Sequence, residues 1–514
     1  MWFFLLLALC LVYSLWRLRY FASKGVKTLV PVPFLGNLAA VTFGRENFVE
    51  VIEAGYNKFR DQRYFGIYQY HVPTLVPRDP ELIRRIMVAD FAAFSDRGVH
   101  IDQDCDPLFG RNLIMLRGSR WRSMRAALTP AFSASRCRSM APLMAVCARN
   151  VQTYLHERVR QDTELDVDEI STAYVNDVIA SCAFGFATDS LQDPHNCIFR
   201  LAKRAVVQDT TQIMKFFGYE NMKTLMQLLK VKIIKTSDAE QFGELFKSAL
   251  RARRDGATPR PDFIQTLVDA AGMSADGQTS DTDDGKTAPG AENLSDDDLV
   301  AQAVLFYIAG YDTTANLINY FLYEMATNPT IQDKLHSELG QLPGLYDDKE
   351  AYDNVQGLEY LEMCVCEVLR LWPLVGAADR RSVARYDFGP NQTDGKTHFV
   401  AEAGVHIWLP VYSLHRDERY WSDPHQCDPE RFTSANKQNI LPYTYMPFGT
   451  GPRHCIGSRF ATTAAKVFLS QFLRQYSVSG GSSRQLDPRA FILRPKHGFT
   501  LTVTPRNNNI HILL

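Results

Sequence analysis

The stretch on which the reading turns is Phe448-Gly449-Thr450-Gly451-Pro452-Arg453-His454-Cys455-Ile456-Gly457. Gly449 and Gly451 permit tight backbone around an approaching group. Arg453 sets a fixed cation two residues before the Cys455 thiol, and Gly457 removes bulk just after it. Ile456, Phe460, Ala464, Phe468 and Phe472 recur at four-residue steps, so a helix is expected from Ile456 onward. Cys455 then sits near a helix N-terminus, where the macrodipole and free N–H groups favour an anion. Both effects lower a thiol pKa and present the sulfur as thiolate, the form that ligates metal. A lone cysteine is more often a small buried hydrophobe, but the surrounding glycines and arginine set this one apart. His454 and Cys455 with His425 and Cys427 do not make a zinc site, because no second closely spaced pair completes four ligands.

The spacing Phe-Gly-x-Gly-x-Arg-x-Cys-x-Gly resembles the haem-ligand loop of the cytochrome P450 family at every specified position. The resemblance implies that Cys455 is the axial ligand of a haem b iron, to which thiolate donates electron density and promotes O–O cleavage. Phe448 and Arg453 would lie at the same cofactor. Upstream, Ser295-Asp296-Asp297-Asp298 reads as a capping box before a long apolar helix carrying Leu299, Ala303, Phe306, Ile308, Ala309, Leu317 and Phe321. Within it, Ala309-Gly310-Tyr311-Asp312-Thr313-Thr314 places a glycine costing ~1 kcal/mol in a helix interior. The following threonine can bond back one turn and bend the axis, and together these would open a groove against a ligand. Alone this reads equally well as an ordinary capped core helix. Beside the cysteine loop it resembles the family's oxygen-binding helix, which implies that Thr313 supplies a hydroxyl at the oxygen site and Asp312 takes part in proton delivery.

Glu367-Val368-Leu369-Arg370 sets a carboxylate and a guanidinium one turn apart, and Pro429-Glu430-Arg431-Phe432 offers a second arginine. These resemble the family's Glu–Arg–Arg triad, implying a scaffold network of Glu367, Arg370 and Arg431. Trp121-Arg122-Ser123-Met124-Arg125 resembles the Trp-x-x-x-Arg helix, implying that Trp121 and Arg125 bind one haem propionate while Arg453 contacts the other. One departure stands out. Many relatives carry a basic propionate contact shortly after the Trp-Pro step, where this chain has Gly376-Ala377-Ala378 and only Arg380 as a weak substitute.

The 514 residues, 46% hydrophobic and 22% charged, suffice for a large core, and a net charge of −1 gives no field favouring nucleic acid. Ten cysteines without framework spacing suggest a reducing, cytosol-facing compartment. Cys364 and Cys366, two apart on a helix, are read as packing residues. Met1 to Trp16 is almost wholly apolar and is followed by Arg17, Arg19, Lys24 and Lys27. A cleaved leader would carry its basic residues before the apolar run, so an uncleaved signal-anchor with a cytosolic C-terminal side is expected. Leu18, Tyr20 and Phe21 would extend its span. That orientation makes the sequons at Asn293 and Asn391 chance matches.

The expected organisation is a transmembrane anchor over 1–21, a basic, proline-rich linker over 22–37 and one mainly helical domain with small β-sheets over 38–514. A hairpin is expected around Tyr64 to Val76, further β structure at Phe491 to Val503, and an exposed loop from Met273 to Asp298. The resemblance implies a monooxygenase of the endoplasmic reticulum membrane, facing the cytosol, acting on lipophilic small molecules such as plant toxins, insecticides or hormones. It is closest in local motifs to insect detoxification enzymes and vertebrate drug-oxidising relatives. No Gly-x-Gly-x-x-Gly marks a flavin or nicotinamide site, so NADPH-derived electrons would arrive from the flavin reductase, with cytochrome b5 as a second donor. Arg117, Arg120, Arg122, Arg136, Arg138, Arg459 and Lys466 are the basic residues expected to dock it. Val99 to Arg117 is expected to loop over the haem, and Phe216, Phe217, Met222, Leu225 and Met226 to roof the substrate site. Lys230 to Lys235 is read as a surface helix or a membrane contact. A haem-thiolate sensor or lipid sequestrant and an oxygen-independent rearrangement catalyst are the other readings, and neither needs the Asp312–Thr313 pair.

Overall fold

The apolar run after Ser295 becomes the axis of the molecule. The computed structural model describes residues 1–205, 210–255, 262–265, 268, 294–342, 350–391, 398–481 and 484–506. Most of the loop expected from Met273 onward, with Asn293, lies outside the described residues. The principal helices are, in chain order, α1 (Trp2–Arg17), α2 (Phe48–Lys58), α3 (Gly118–Leu128), α4 (Ala134–Arg158) and α5 (Val167–Phe184). They continue with α6 (Thr210–Asn221), α7 (Lys223–Leu228), α8 (Thr236–Arg254), α9 (Asp296–Thr327), α10 (Glu359–Leu371) and α11 (Ser458–Gln475).

Helix α9 runs 32 residues, about 48 Å at ~1.5 Å per residue. Its capping box is complete: the Asp298 N–H donates to Ser295 Oγ, and the Ser295 N–H donates to the Asp298 carboxylate. Aspartates fill its first turn, where the helix dipole favours them. Helices α5, α8, α10 and α11 pack around it, and α4 lies across α5 and α11. Helix α5 is buried over nearly its whole circumference, the mark of a core helix rather than an amphipathic surface one.

Strands β1 (Tyr64–Gln69), β2 (Val72–Pro77), β4 (Ala378–Arg381) and β7 (His406–Leu409) form one sheet in the order β1-β2-β7-β4. The expected hairpin is its antiparallel β1–β2 pair, with Tyr64 opposite Pro77 and Gln69 opposite Val72. β3 (Glu164–Asp166), β8 (Tyr476–Ser479) and β9 (Thr500–Pro505) make a second sheet, and β5 (Tyr386–Pro390) pairs with β6 (His398–Ala401). The C-terminal β signal is shorter than expected. A strand forms only from Thr500, after Gly498 turns the chain at φ 72°.

The amino-terminal expectations need correction. One helix among the described residues is long and apolar enough to cross a membrane, over Phe4–Lys24 at a mean hydropathy of 1.5. Helix α1 itself ends at Arg17, and Leu18 and Phe21 do not prolong the apolar surface. Both are buried in the hydrophobic cluster of the large sheet. The Phe21 N–H donates to the Tyr68 hydroxyl at 3.0 Å and the two rings meet edge to face. The 22–37 segment does not stand between anchor and body: Thr28 bridges to Gly66 and Gly36 to Gln69 along β1. Asn391 is 1% exposed and bonded to Gln62 and the Tyr64 N–H, so its side chain is sealed from any glycan.

Candidate active site

The cysteine loop is built by two left-handed glycines, Gly449 at φ 70° and Gly451 at φ 71°. A Cβ on Gly451 would lie 2.0 Å from the Met87 carbonyl oxygen, so only glycine fits. The Cys455 N–H donates to Phe448 O at 2.8 Å, closing the loop on itself. Helix α11 starts at Ser458, two residues later than expected, with Gly457 as its N-cap. Ala464, Phe468 and Phe472 are buried as the four-residue steps require, while Ile456 and Phe460 are half-buried.

The thiol expectation is corrected by its surroundings. Burial pushes the Cys455 thiol pKa up, outweighing the Gly457 and Ser458 N–H groups and the Arg125 and Arg97 charges that pull it down. The helix terminus alone does not make this sulfur a thiolate; a cation bound to it would. The side chain is nevertheless solvent-accessible. A group both enclosed by protein and open to solvent borders an internal space. The facing stripe of α9 is open in the same way. Along the largely buried middle of α9, Ala309 is exposed and Phe306, Ile308, Gly310 and Thr313 are half-buried.

Beside the loop lies a platform of arginines. Arg453 is 6% exposed, stacks over the buried Trp121 ring at 4.2 Å, and donates to Ser95 O and Leu116 O at 2.7 and 2.9 Å. Arg125 comes within 3.4 Å of His454 Nε2 and senses the Cys455 charge. The structure adds Arg97, which no sequence motif assigned, and brings in Arg380, the weak substitute offered by the sequence. Arg97 pairs with Asp379 at 2.5 Å, and Arg380, 2% exposed, lies against Arg97 and Arg453. Burial and mutual repulsion push Arg380 and Arg453 down to about 9. Burial alone would raise Asp379, but Arg97, Arg380 and the Gly98 N–H together hold it low. Four arginines (Arg97, Arg117, Arg380 and Arg453) thus face two aspartates, Asp96 and Asp379. The Nε atoms of Arg97, Arg117 and Arg380 are buried without a hydrogen-bond partner among the described residues. The platform is short of anionic oxygens. Arg97 was illegible because the Asp96–Arg381 bridge between distant segments brings it in; the Arg380-Arg381 doublet after the Trp-Pro step was the available signal.

On α9, Thr313 Oγ1 donates to Ala309 O at 2.7 Å, the back-bond expected from sequence. The glycine plays a different part from the one expected. The helix is unbroken, and a Cβ at Gly310 would meet Ile179 Cδ1 of α5 at 3.1 Å, so Gly310 accommodates that neighbour. Asp312 is 6% exposed; its carboxylate accepts from Arg494 at 2.7 Å and from Asn316 at 3.2 Å. Arg494, from the segment before β9, was not foreseen.

Glu367 and Arg370, both 0% exposed, form a bidentate pair at 2.7 and 2.8 Å, and Arg431 approaches the same carboxylate at 3.5 Å. Arg370 also donates to His415 O and Pro424 O, and Arg431 to Asp423 O, tying α10 to the meander that leads into the cysteine loop. Cys364 is buried and Cys366 half-buried, on different faces. The basic cluster is thinner than expected. Lys466 is 2% exposed and paired with Glu362 at 2.6 Å, Arg138 pairs with Asp353, Arg120 with Asp298 and Arg117 with Asp96. Arg122 and Arg459 remain exposed, and Arg136 is half-buried.

The 99–117 segment meets α6 and α7: Phe109 packs edge to face on Phe216 at 5.6 Å, and Met226 is buried with Ile101 and Met115. Met222 and Leu225 point outward. Lys230 to Lys235 is an irregular loop rather than a helix, and its Ile233 and Ile234 are buried.

Comparison with known proteins agrees with this geometry. A family model described as "Cytochrome P450" matches residues 26–503. The chain is 34% identical to "Cytochrome P450 9e2" of Blattella germanica, over 95% of this chain and 92% of that protein. It is 35% identical to "Probable cytochrome P450 9f2" of Drosophila melanogaster over 95% of each, and 29% identical to "Cytochrome P450 6j1" of Blattella germanica over 98% of this chain and 97% of that one.

Proposed function

We propose residue roles for a chain that belongs to the cytochrome P450 family and is therefore a haem b monooxygenase. Cys455 would hold the iron through sulfur, and Phe448 would pack at the sulfur side. Trp121, Arg125 and Arg453 would bind the propionates, joined by Arg97 and Arg380. The observation that carries this reading is the enclosed, accessible sulfur next to a platform with more guanidinium than carboxylate. Two propionates would supply oxygens to the platform, where the Nε atoms of Arg97 and Arg380 have no hydrogen-bond partner among the described residues. When bound, the haem supplies activation of dioxygen by two electrons, one oxygen atom going into the substrate and the other into water.

The chain's own residues position, shield and move protons. Thr313 holds its hydroxyl at the accessible stripe by donating to Ala309 O, leaving Oγ1 free to accept a proton from elsewhere. Asp312 joins this interior to the outside, because Arg494 on its far side has a side chain 28% exposed. That placement supports proton transfer along Asp312 and Thr313. Phe109 and Phe216 exclude water above the site. Glu367, Arg370 and Arg431 act as scaffold, fixing the approach to Cys455 without touching the reacting atoms.

The substrates are lipophilic small molecules of the xenobiotic or hormone type. Helix α1 anchors the protein in the endoplasmic reticulum membrane, and Arg17 and Arg19 after it place the body on the cytosolic side. Electrons come from NADPH through the flavin reductase, with cytochrome b5 as a second donor. The docking face narrows to Arg122 and Arg459, since Lys466 is buried.

Cys455→Ser is expected to abolish the red-shifted Soret band of the ferrous carbonyl form; an unchanged band would remove Cys455 from coordination. Thr313→Ala should divert electrons to peroxide, and unaltered coupling would end its proton role. Charge reversal at Arg122 and Arg459 should weaken reductase-driven turnover; indifference would move the docking face elsewhere.

A further inference from the structure

A cavity of about 290 Å3 opens between the short Ala39–Thr42 helix, the β1–β2 turn, α6 and the segment at Arg489. None of the residues placed around Cys455 or Thr313 lines it. Its walls are aromatic and thioether surface. Tyr70 and Phe217 meet edge to face at 5.6 Å, and the Tyr70 hydroxyl lies 3.7 Å from Met214 Sδ and 3.2 Å from Thr42 Oγ1. Phe43 and Met214 are 65% and 44% exposed, so this apolar surface is left uncovered. Tyr70 adopts φ 54° in the hairpin turn, a conformation uncommon for a residue with a side chain.

Among the lining residues Arg489 carries the one charge. Arg489 is exposed; its backbone N–H donates to Asp487 at 2.9 Å, and its guanidinium, open to solvent, has no hydrogen bond or ion pair with any described residue. The side chain lies along Gly44, where a Cβ would stand 3.3 Å from Nε. The cavity also adjoins the apolar amino-terminal helix: Ser14 of α1 bonds His71, the neighbour of Tyr70, at 3.2 Å.

We propose that this cavity is a second binding site, separate from the Cys455 site, for an anionic amphiphile: a medium-length alkyl chain ending in a carboxylate. The chain lies on Phe43, Tyr70, Met214 and Phe217, and the carboxylate takes the unpaired Arg489 guanidinium. The volume, at the small end of the ~300–1,000 Å3 usual for ligand pockets, suits a single chain. Binding here requires none of the roles assigned around Cys455.

The test uses full-length, haem-loaded protein in phosphatidylcholine nanodiscs, with the Soret band of each variant recorded first to show that it is folded. Decanoate carrying a diazirine at its far end, and the matching decanol probe, are irradiated with the protein, and labelled peptides are identified by mass spectrometry. The acid probe is expected to label the peptides holding residues 41–44 and 214–217 and to be displaced by excess decanoate. Arg489→Glu should lower that labelling by about fivefold or more and Arg489→Lys should restore most of it, with the alcohol probe little changed. Labelling at other peptides, equal labelling by acid and alcohol in the unaltered protein, or acid labelling indifferent to charge reversal would each overturn the proposal.

Discussion

At the scale of the residue, Gly451 and His415 carry more than their size suggests. Gly451 sits at φ 71° with its missing Cβ pointed at the Met87 carbonyl. Gly451→Ala would meet both left-handed strain and a backbone clash, costing about 3 kcal/mol or more. The expected result is a lower unfolding temperature and poor haem retention, measured by thermal melts and the Soret-to-protein absorbance ratio. His415 is 0% exposed; its Nδ1 donates to Arg370 O and its Nε2 accepts the Met446 N–H. Burial, then the Arg370 charge, lowers its pKa from 6.5 to about 3. The unfolded chain therefore binds a proton between those values that the native chain refuses. The stability tied to neutral His415 is complete above pH 6.5 and is lost as pH falls toward 3, at up to about 1.4 kcal/mol per unit. Urea midpoints followed through that window should fall less steeply for His415→Gln, whose amide can still accept the Met446 N–H. The role of His415 is not written in local spacing, because its partners come from α10 and from the approach to the cysteine loop.

At the scale of the element, α9 shows why motif and mechanism can part. Its cap, length and Thr313 back-bond were legible, because each depends on residues within one or two turns. The reason for Gly310 was not, because Ile179 lies on another helix. Two magnitudes decide what substitution does there. Gly310→Ala gains about 1 kcal/mol of helix propensity, offset by a small displacement of the Ile179 methyl, so its stability should change little. Gly310→Val adds a branched volume against Ile179 and should cost about 1–3 kcal/mol. Equilibrium unfolding of the two variants separates the readings, since a glycine present to bend the helix would lose stability in both. Lys466 teaches the same lesson on α11: its basic identity suggested surface, yet the helix turns it inward onto Glu362.

At the scale of the whole molecule, the first residues divide differently from their hydropathy. A chain starting at Leu18 should leave the membrane with its cooperative unfolding intact, because α1 touches the body mainly through Ser14 and Tyr13. A chain starting at Val26 also loses Phe21, whose ring lies against Gly66 and Tyr68. Removing such a ring costs about 3–5 kcal/mol, so that version should melt earlier or fail to fold; differential scanning calorimetry of both checks it. The sequence by itself determined the family, the mainly helical body and the apolar amino-terminal helix, and it singled out Cys455, Thr313, Trp121 and the Glu367–Arg370 pair as candidates. All of these rest on short-range spacing, and spacing is written along the chain. Only the tertiary structure decided that burial raises the Cys455 thiol pKa, that Arg97 joins Arg380 and Arg453 in one platform, that Arg494 holds Asp312, and that Phe21 belongs to the core. Those depend on desolvation and on contacts between segments hundreds of residues apart, quantities that exist only once the chain has closed on itself.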